Sequence, residues 1–401
     1  MRLLIYILLT LSVGLVSCSE KNNPRHNVFA KININMCELE ERSILFFSDI
    51  FIRSAFVALC DSVPLGGQIN RILLHNGEIF IIDSHTVGVH VFDKQGNYLR
   101  QIGSRGAGPS EMSSAFDMTI DRENNYIYII DFHTQTIHKY DVVSGRFQKT
   151  IHLPEGARYS HIAYNNDIIF LTQYAEGKNG VSHLFRVMPM NGSDPYEIIP
   201  TSFNKGWSNF MVNTHGPFFF TSEGTVLLTH RFMDVIYKYA NGQLKPYIAL
   251  HGNENNFVAP SDLNDFHIIR GHEDVMRVAS IQKYHNIHHY IESDDFIFFK
   301  VSKGLTRSVS ILYNRKTGIA KRVGSFIEDI FFTKTDRVPF HYGGKQDVFI
   351  VLYAHLSDID ILLRMLDMGL IQDDEFRKFM ESIGNVYNES FNGIILLYEL
   401  K

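Results

Sequence analysis

The feature that most constrains the fold of this chain is an internal repeat. The segment "IFIIDSHT" (residues 79–86) returns 48 residues later as "IYIIDFHT" (residues 127–134). Each copy is an apolar run typical of a strand, followed by a second such run, a turn glycine and a third run. Fainter strand-like runs follow at 167–172 with 184–188, 225–229 with 235–239, 296–300 with 308–313, and 348–353. A repeat of about 50 residues with about four strands per unit is typical of a β-propeller.

Six such runs predict six blades, and the last one departs from the pattern. Where its next strand is expected, "SDID" (residues 357–360) predicts the start of a helix, and apolar residues then recur at helical spacing. We therefore expect a helical insert over 357–384, divided near Gly369. The chain ends in an apolar strand, "IILLYEL" (394–400), which needs a neighbour because an unpaired edge invites aggregation.

Strands between Asn27 and Cys60 are the natural neighbours for that terminal strand. The predicted fold is therefore an all-β, six-bladed β-propeller with N- and C-terminal strand closure and a helical insert in the last blade.

The N-terminus has the pattern of an export signal. Arg2 precedes an apolar stretch (3–16) that is too short to anchor a chain across a bilayer. The stretch ends in "LVSC" (15–18), which resembles the lipobox of bacterial lipoproteins and makes Cys18 the predicted lipid-attachment residue. We expect a signal peptide over 1–17, a tether over 18–27 and the propeller over 28–401. Attachment would be to the cell envelope, at the outer membrane, with the side of the membrane left open.

Composition narrows the class of protein further. Hydrophobic residues make up 45% and charged residues 20% of the chain, as in a globular protein, and the net charge is −5. We expect no nucleic-acid partner, because that function requires a basic stripe. The sequence contains no zinc-type spacing and no catalytic signature, so it predicts no cofactor and no metal. Whether Cys37 and Cys60 form a disulfide is open at this stage.

Several segments of blades 1 and 2 carry a family resemblance. "IGSRGAGP" (102–109), "FDMTID" (116–121), "YIYIID" (126–131) and "IHKYD" (137–141) together resemble an NHL repeat. With the lipobox, the pattern resembles the six-bladed propeller lipoproteins of Gram-negative bacteria. The resemblance implies the fold, but it implies little about function, because propellers host many activities.

The glycine-rich stretch "GSRGAGPSEM" (103–112) suggests a phosphate-binding loop. A Walker loop, however, needs a Lys-Ser/Thr pair followed by a helix, whereas this stretch precedes a strand-like run. We interpret it as the crossover from blade 1 to blade 2, in which glycines allow the turn. Arg105 within it keeps the potential to contact a ligand through its forked guanidinium group.

Strand order predicts which residues share one end of the ring. In each blade, the turn after the second strand and the crossover to the next blade lie at the same end. The candidate residues for a ligand-binding face there are Arg105, Asp83, His85, Asp131, His133, His230 and Arg231. Two interpretations of the repeated Asp-x-His-Thr turns are open. The residues could form a metal or acid–base site, or the aspartates could simply accept backbone N–H bonds within the turns.

The leading functional hypothesis is a lipid-anchored binding scaffold for a glycan, peptide or protein partner. The alternative is a metal-assisted lyase or hydrolase whose site lies at the mouth of the propeller channel. A purely structural subunit of an envelope complex is a third possibility. The histidine-rich segment "YHNIHHY" (284–290) is interpreted as an inner strand with polar residues facing the channel.

Overall fold

The computed structural model describes residues 30–65, 69–83, 85–174, 182–201, 216, 218–252, 257–259, 262, 280–304, 307–330, 341–342, 349–354, 356–371, 373–387 and 391–401. Six small sheets form a ring, so the predicted six-bladed β-propeller is confirmed. Cys18 and the predicted signal peptide lie outside the described residues. Within the described ranges, no helix combines the length and the apolar character needed to cross a membrane. Cys37 and Cys60 do not form a disulfide.

Three N-terminal strands precede the first blade. They are β1 (Ile32–Asn35), β2 (Glu40–Phe46) and β3 (Phe51–Ala58).

Blades 1 and 2 each contain four antiparallel strands in chain order, joined by a short crossover. Blade 1 consists of β4 (Ile69–His75), β5 (Glu78–Asp83), β6 (Val89–Asp93) and β7 (Tyr98–Ile102). The crossover contains β8 (Ser104–Arg105) and β9 (Glu111–Met112), which pair in parallel. Blade 2 consists of β10 (Ala115–Asp121), β11 (Tyr126–Asp131), β12 (Thr136–Asp141) and β13 (Phe147–His152).

Blades 3 and 4 repeat this order of strands. Blade 3 consists of β14 (Arg158–Asn165), β15 (Ile168–Tyr174), β16 (Ser182–Pro189) and β17 (Tyr196–Thr201). Blade 4 consists of β18 (Phe218–Phe220), β19 (Val226–Leu228), β20 (Val235–Ala240) and β21 (Gln243–His251).

Blade 5 is regular, whereas blade 6 contains the helical insert. Blade 5 consists of β22 (Tyr284–Glu292), β23 (Phe296–Lys303), β24 (Arg307–Asn314) and β25 (Ala320–Ile327). Blade 6 begins with β26 (His341–Tyr342) and β27 (Phe349–Ala354), continues through helices α1 (Leu356–Asp367) and α2 (Asp374–Val386), and returns as β28 (Ile394–Leu400).

Local chemistry explains the shape of the insert. After α1, Gly369 adopts a positive φ of 67°, which a glycine tolerates without steric cost. Asp373 then caps α2 by accepting the backbone N–H of Phe376 at 2.7 Å. The helices bury Ile359, Phe376 and Met380 in one apolar cluster with strands of blades 5 and 6.

The N-terminal strands close the ring and also cover its rim. As predicted, an N-terminal strand closes the last blade: β3 is the antiparallel neighbour of β28. The other two strands were not predicted: β1 adds a fifth, parallel strand to blade 4 beside β21, and β2 does the same for blade 5 beside β25. The N-terminal segment thus covers the outer edges of three successive blades, which protects their unpaired backbone groups.

The first strand of each blade is the innermost, and inner strands of neighbouring blades contact one another in the pairs β4 with β10, β10 with β14, β18 with β22, and β26 with β4. In blades 1, 2, 3 and 5, the inner strand has a register shift near its start, as at Ala115/Asp117. Such bulges re-aim side chains. They lie at the end of the ring that also contains the blade crossovers, which we call the crossover face.

Candidate functional site

The repeated Asp-x-His-Thr turns of blades 1 and 2 are built alike. Asp83 and Asp131 end the second strands and are wholly buried. Asp83 Oδ1 accepts the backbone N–H of His85 at 2.7 Å, and Asp131 Oδ1 accepts that of His133 at 3.0 Å. These aspartates therefore cap the turns. The imidazoles remain at the surface, with 61% of the His85 side chain exposed and His133 exposed as well.

Asp131 also ties its turn to the crossover. Its carboxylate accepts the backbone N–H of Ser113 at 2.7 Å and the hydroxyl of the same residue at 2.9 Å. The turn and the crossover therefore lie together at the crossover face. Burial raises the pKa of Asp131, but the hydrogen bonds from Ser113 and Thr134 outweigh it and hold that pKa below its usual value.

The glycine-rich crossover is held in shape by the carboxylate of Glu111, which is one of its own residues. Glu111 Oε2 accepts the backbone N–H of Gly108 at 2.8 Å, so a phosphate would compete with this side chain. A Cβ at Gly106 would lie 1.9 Å from Glu111 Oε2, so a larger residue there would displace this carboxylate. Arg105 is exposed and makes no hydrogen bond or ion pair with any described residue. The crossover thus exposes the guanidinium of Arg105 and does not form an anion-binding loop.

His230 and Arg231 follow the second strand of blade 4. His230 is wholly buried, and its ring packs edge-on against Phe185 at 5.8 Å. Burial lowers the pKa of His230 to about 4, with a smaller contribution from the charge of Arg231. His230 is therefore an interior residue in the neutral form at neutral pH, whereas His85 and His133 are surface residues.

Three inner strands bring polar side chains to the channel at the crossover face. Arg71 of β4 forms an ion pair with Asp117 of β10, with 3.7 Å between Nε and Oδ1. Asp117 Oδ2 accepts the backbone N–H of Ile162 in β14 at 3.0 Å. Burial raises the pKa of Asp117, although Arg71 and this N–H act in the opposite direction. Blades 1, 2 and 3 are thereby connected at their bulges.

His161 of β14 completes this group, which we call the channel cluster (Arg71, Asp117, His161 and His230). Its Nδ1 lies 2.7 Å from the hydroxyl of Ser160. Burial, followed by the charges of Arg71 and His230, lowers the pKa of His161 to about 3. The imidazole is therefore neutral at neutral pH and able to donate one hydrogen bond and accept another.

Aromatic rings lead from the channel cluster to the surface. His161 contacts Phe116 edge-on at 5.4 Å, and Phe116 contacts Phe132 at 5.2 Å. The guanidinium of Arg158 lies over the Phe132 ring at 5.0 Å, and His133 is adjacent. Both phenylalanines are only partly buried. The result is an apolar wall with a guanidinium and an imidazole at its outer rim.

The predicted candidates therefore separate into two groups. His85, Arg105 and His133 form an exposed set, which we call the surface row, held in place by Asp83 and Asp131. His230 belongs to the channel cluster. Across the described ranges, no three His, Cys, Asp or Glu side chains are arranged to hold a metal ion.

Sequence reasoning missed Arg71, Asp117 and His161. A signal for them exists: each is a polar residue near the start of an inner strand, directly before a buried run, in "NRILL", "FDMTI" and "SHIAY". The three residue types differ, so a search for repeated identities cannot detect them.

The family is decided by a match over most of the chain. Residues 30–398 match the family model "Domain of unknown function (DUF4934)". The chain belongs to the DUF4934 family. The family match spans all six blades and all three N-terminal strands, so the rim strands are part of the family domain. No curated protein matches the sequence.

Solved structures share the architecture of this DUF4934 chain. A "Putative exported protein" from Bacteroides fragilis NCTC 9343 has a TM-score of 0.71 at 19% identity, covering 92% of this chain and 99% of its own. A member of the DUF4221 family from Bacteroides vulgatus ATCC 8482 has a TM-score of 0.50 at 10% identity, covering 88% and 98%. At such identities the likeness concerns the fold alone.

Proposed function

We propose that this DUF4934 chain is an envelope-anchored binding scaffold that presents its crossover face to a glycan, peptide or protein partner. The observation that carries the proposal is the surface row. Its exposed imidazoles and guanidinium project from turns whose backbones are fixed by buried carboxylates or by Glu111. Because the turns are already ordered, little conformational entropy is lost when a partner binds.

The chemistry of the surface row suits a polar, acidic or hydrogen-bonding partner. Arg105 offers a forked donor, which pairs well with carboxylate or phosphate groups. His85 and His133 occupy equivalent turns of adjacent blades, so the row repeats with the fold and extends over blades 1 and 2. A row of donors at blade spacing is suited to an extended or branched partner rather than to a single small ion.

The lipid anchor is part of the same proposal. The lipobox pattern makes Cys18 the attachment residue, and two or three acyl chains there would hold the protein on a membrane. The described chain begins just before β1, which lies at the outer edge of blade 4. The "Putative exported protein" of similar fold supports an exported location.

The binding surface can be tested with a matched pair of double variants of the full chain. Binding to an envelope glycan array, a peptide library and photo-crosslinked envelope proteins is compared with wild type. We expect at least a tenfold loss of affinity in Arg105→Ala/His133→Ala, because charge-assisted hydrogen bonds are removed. The control, Arg146→Ala/Lys94→Ala, removes exposed cations from turns at the opposite end of the same blades and should bind normally. A ligand lost only in the control variant would place the binding surface elsewhere.

The anchor is tested by labelling with radioactive fatty acid in cells. The wild-type chain should take up label and partition into detergent, whereas Cys18→Ala should do neither. An unlabelled wild-type chain would contradict the lipoprotein prediction while leaving the binding surface to its own experiment.

A further inference from the structure

Arg71 spans the channel rather than lining one wall of it. It belongs to blade 1, yet it pairs with Asp117 of blade 2 and influences the titration of His161 in blade 3. Its Nη1 also lies 3.4 Å from the position that a Cβ on Gly216 would occupy, just before the inner strand of blade 4. Blades 1 and 4 are on opposite sides of a six-bladed ring. The guanidinium therefore lies across the mouth of the channel.

Among the described residues, part of the hydrogen-bonding capacity of this guanidinium is unmet. Its side chain is only 17% exposed, and its contact with Asp117 is an ion pair at 3.7 Å, beyond hydrogen-bond distance. No described residue accepts a hydrogen bond from the side chain of Arg71, and its Nε is buried without a hydrogen-bond partner among them. A buried cation with unmet donors is costly, so a site of this kind stabilises an added anion.

The rest of the channel cluster consists of one carboxyl group and two imidazoles. Asp117 directs one carboxylate oxygen to Arg71 and the other to the backbone N–H of Ile162. His161 and His230 are neutral at neutral pH for the reasons given above. Neutral imidazole beside a guanidinium can supply an extra donor to an anion without repelling a nearby aspartate.

The wall beside the cluster is apolar. The partly buried rings of Phe116 and Phe132 form a series of contacts that starts at His161, which places apolar surface beside the cluster. Rings of this kind contribute offset or edge-on contacts with another planar or apolar body. The site is therefore suited to a ligand with an anionic end and an apolar or ring-shaped body.

We propose that the channel cluster of this protein binds a small organic carboxylate, with the carboxylate on Arg71 and the body of the ligand against Phe116 and Phe132. This site borders the surface row where His133 contacts Phe132, but it does not depend on the function proposed for that row. The competing view is that Arg71 only fastens blades 1, 2 and 4 together.

The test uses the full chain and three probes: benzoate, its neutral counterpart benzyl alcohol, and acetate. Binding is measured by isothermal titration and by ligand-observed NMR. We expect saturable binding of benzoate, at least tenfold weaker binding of benzyl alcohol, and at least tenfold weaker binding of benzoate to Arg71→Gln. Arg71→Lys keeps the charge but not the fork, so it should restore only part of the affinity.

Two further variants distinguish ligand binding at the channel cluster from a purely structural role of Arg71. Phe132→Ala leaves Arg71 in place and should weaken benzoate while leaving acetate unchanged, which also covers the case in which Arg71→Gln fails to fold. Arg146→Ala/Lys94→Ala, whose changes lie in exposed turns at the opposite end of blades 1 and 2, should bind benzoate as wild type does. Equal binding of benzoate by wild type and Arg71→Gln, or no saturable binding of benzoate by wild type, would overturn the proposal.

Discussion

At the residue scale, buried polar side chains fix the positions of exposed ones. Asp131 is wholly buried, and it accepts hydrogen bonds from the crossover and from its own turn, so His133 is held at the surface by a residue that no partner touches. The 48-residue repeat pointed to this aspartate, because Asp83 occupies the matching position in blade 1. It could not point to Arg71, whose importance arises from contacts with other blades.

Replacing Asp131 should show how much this arrangement contributes to the free energy of unfolding. Asp131→Ala leaves the N–H groups of Ser113 and His133 without their acceptor, so the free energy of unfolding should fall by about 3 kcal/mol. Urea denaturation at neutral pH measures the difference. Asp194→Ala, at an exposed turn, is the control and should change stability by less than about 0.5 kcal/mol.

The pH dependence of that difference follows from the direction of the pKa shift. The pKa of Asp131 in the folded chain lies below its usual 3.8. Its stabilisation is therefore present above 3.8 and is lost as pH falls through the folded pKa. The gap between wild type and Asp131→Ala should close in that acid range; a gap that stayed constant would contradict the role assigned to the ionised carboxylate.

At the element scale, the N-terminal strands act as an extension of three blades. β1 buries Ile32 and Ile34 against blade 4, and β2 buries Leu45 against blade 5. Ile44 of β2, by contrast, is 41% exposed. The alternation of buried and exposed residues indicates strands, but it does not say which edge they join, since parallel addition to a complete blade has no local sequence signal.

A pair of matched isoleucine substitutions tests this packing. Ile34→Ala removes a buried side chain and leaves a cavity, so it should lower the free energy of unfolding by about 3 kcal/mol. Ile44→Ala should cost less than about 1 kcal/mol, because much of that side chain is already in water. Chemical denaturation of both variants provides the comparison. Similar losses in the two variants would mean that β1 contributes no more than an exposed strand.

At the scale of the whole molecule, closure of the ring depends on contacts far apart in sequence. Asn392, just before β28, donates to the carbonyls of Cys60 and Val63 at 2.5 and 2.6 Å and accepts the N–H of Leu65 at 2.8 Å. The last blade is thereby bonded to the segment that leads into the first.

The same closed interior also contains buried histidines whose protonation is unfavourable.

This interior should make the protein sensitive to mild acid. Burial lowers the pKa of five histidines, to about 3 for His161 and about 4 for His230. The others with lowered pKa values are His90, His138 and His285. Below the usual pKa of 6.5, the unfolded chain binds protons that the folded chain does not, so stability falls as pH decreases from 6.5.

Urea unfolding at about pH 7.5 and about pH 5.5 measures this effect. His161 and His230 should each account for about 1 kcal/mol of the loss. His161→Gln should show a smaller change between the two pH values than wild type does. Gln148→Ala, which alters an exposed uncharged side chain, should change with pH as wild type does. Unchanged stability of wild type across this interval would show that the buried histidines accept protons in the folded state.

The sequence by itself determined the repeat, the number of blades, the helical insert and the closure of the last blade, because each follows from local periodicity or from the need to pair a free edge. It also identified the residues of the surface row, of which His85 and His133 recur with the blades. Only the tertiary structure decided that Arg71, Asp117 and His161 meet at the channel mouth. These residues come from three blades and share neither type nor motif, and the bulges that turn them inward arise from packing around a closed ring.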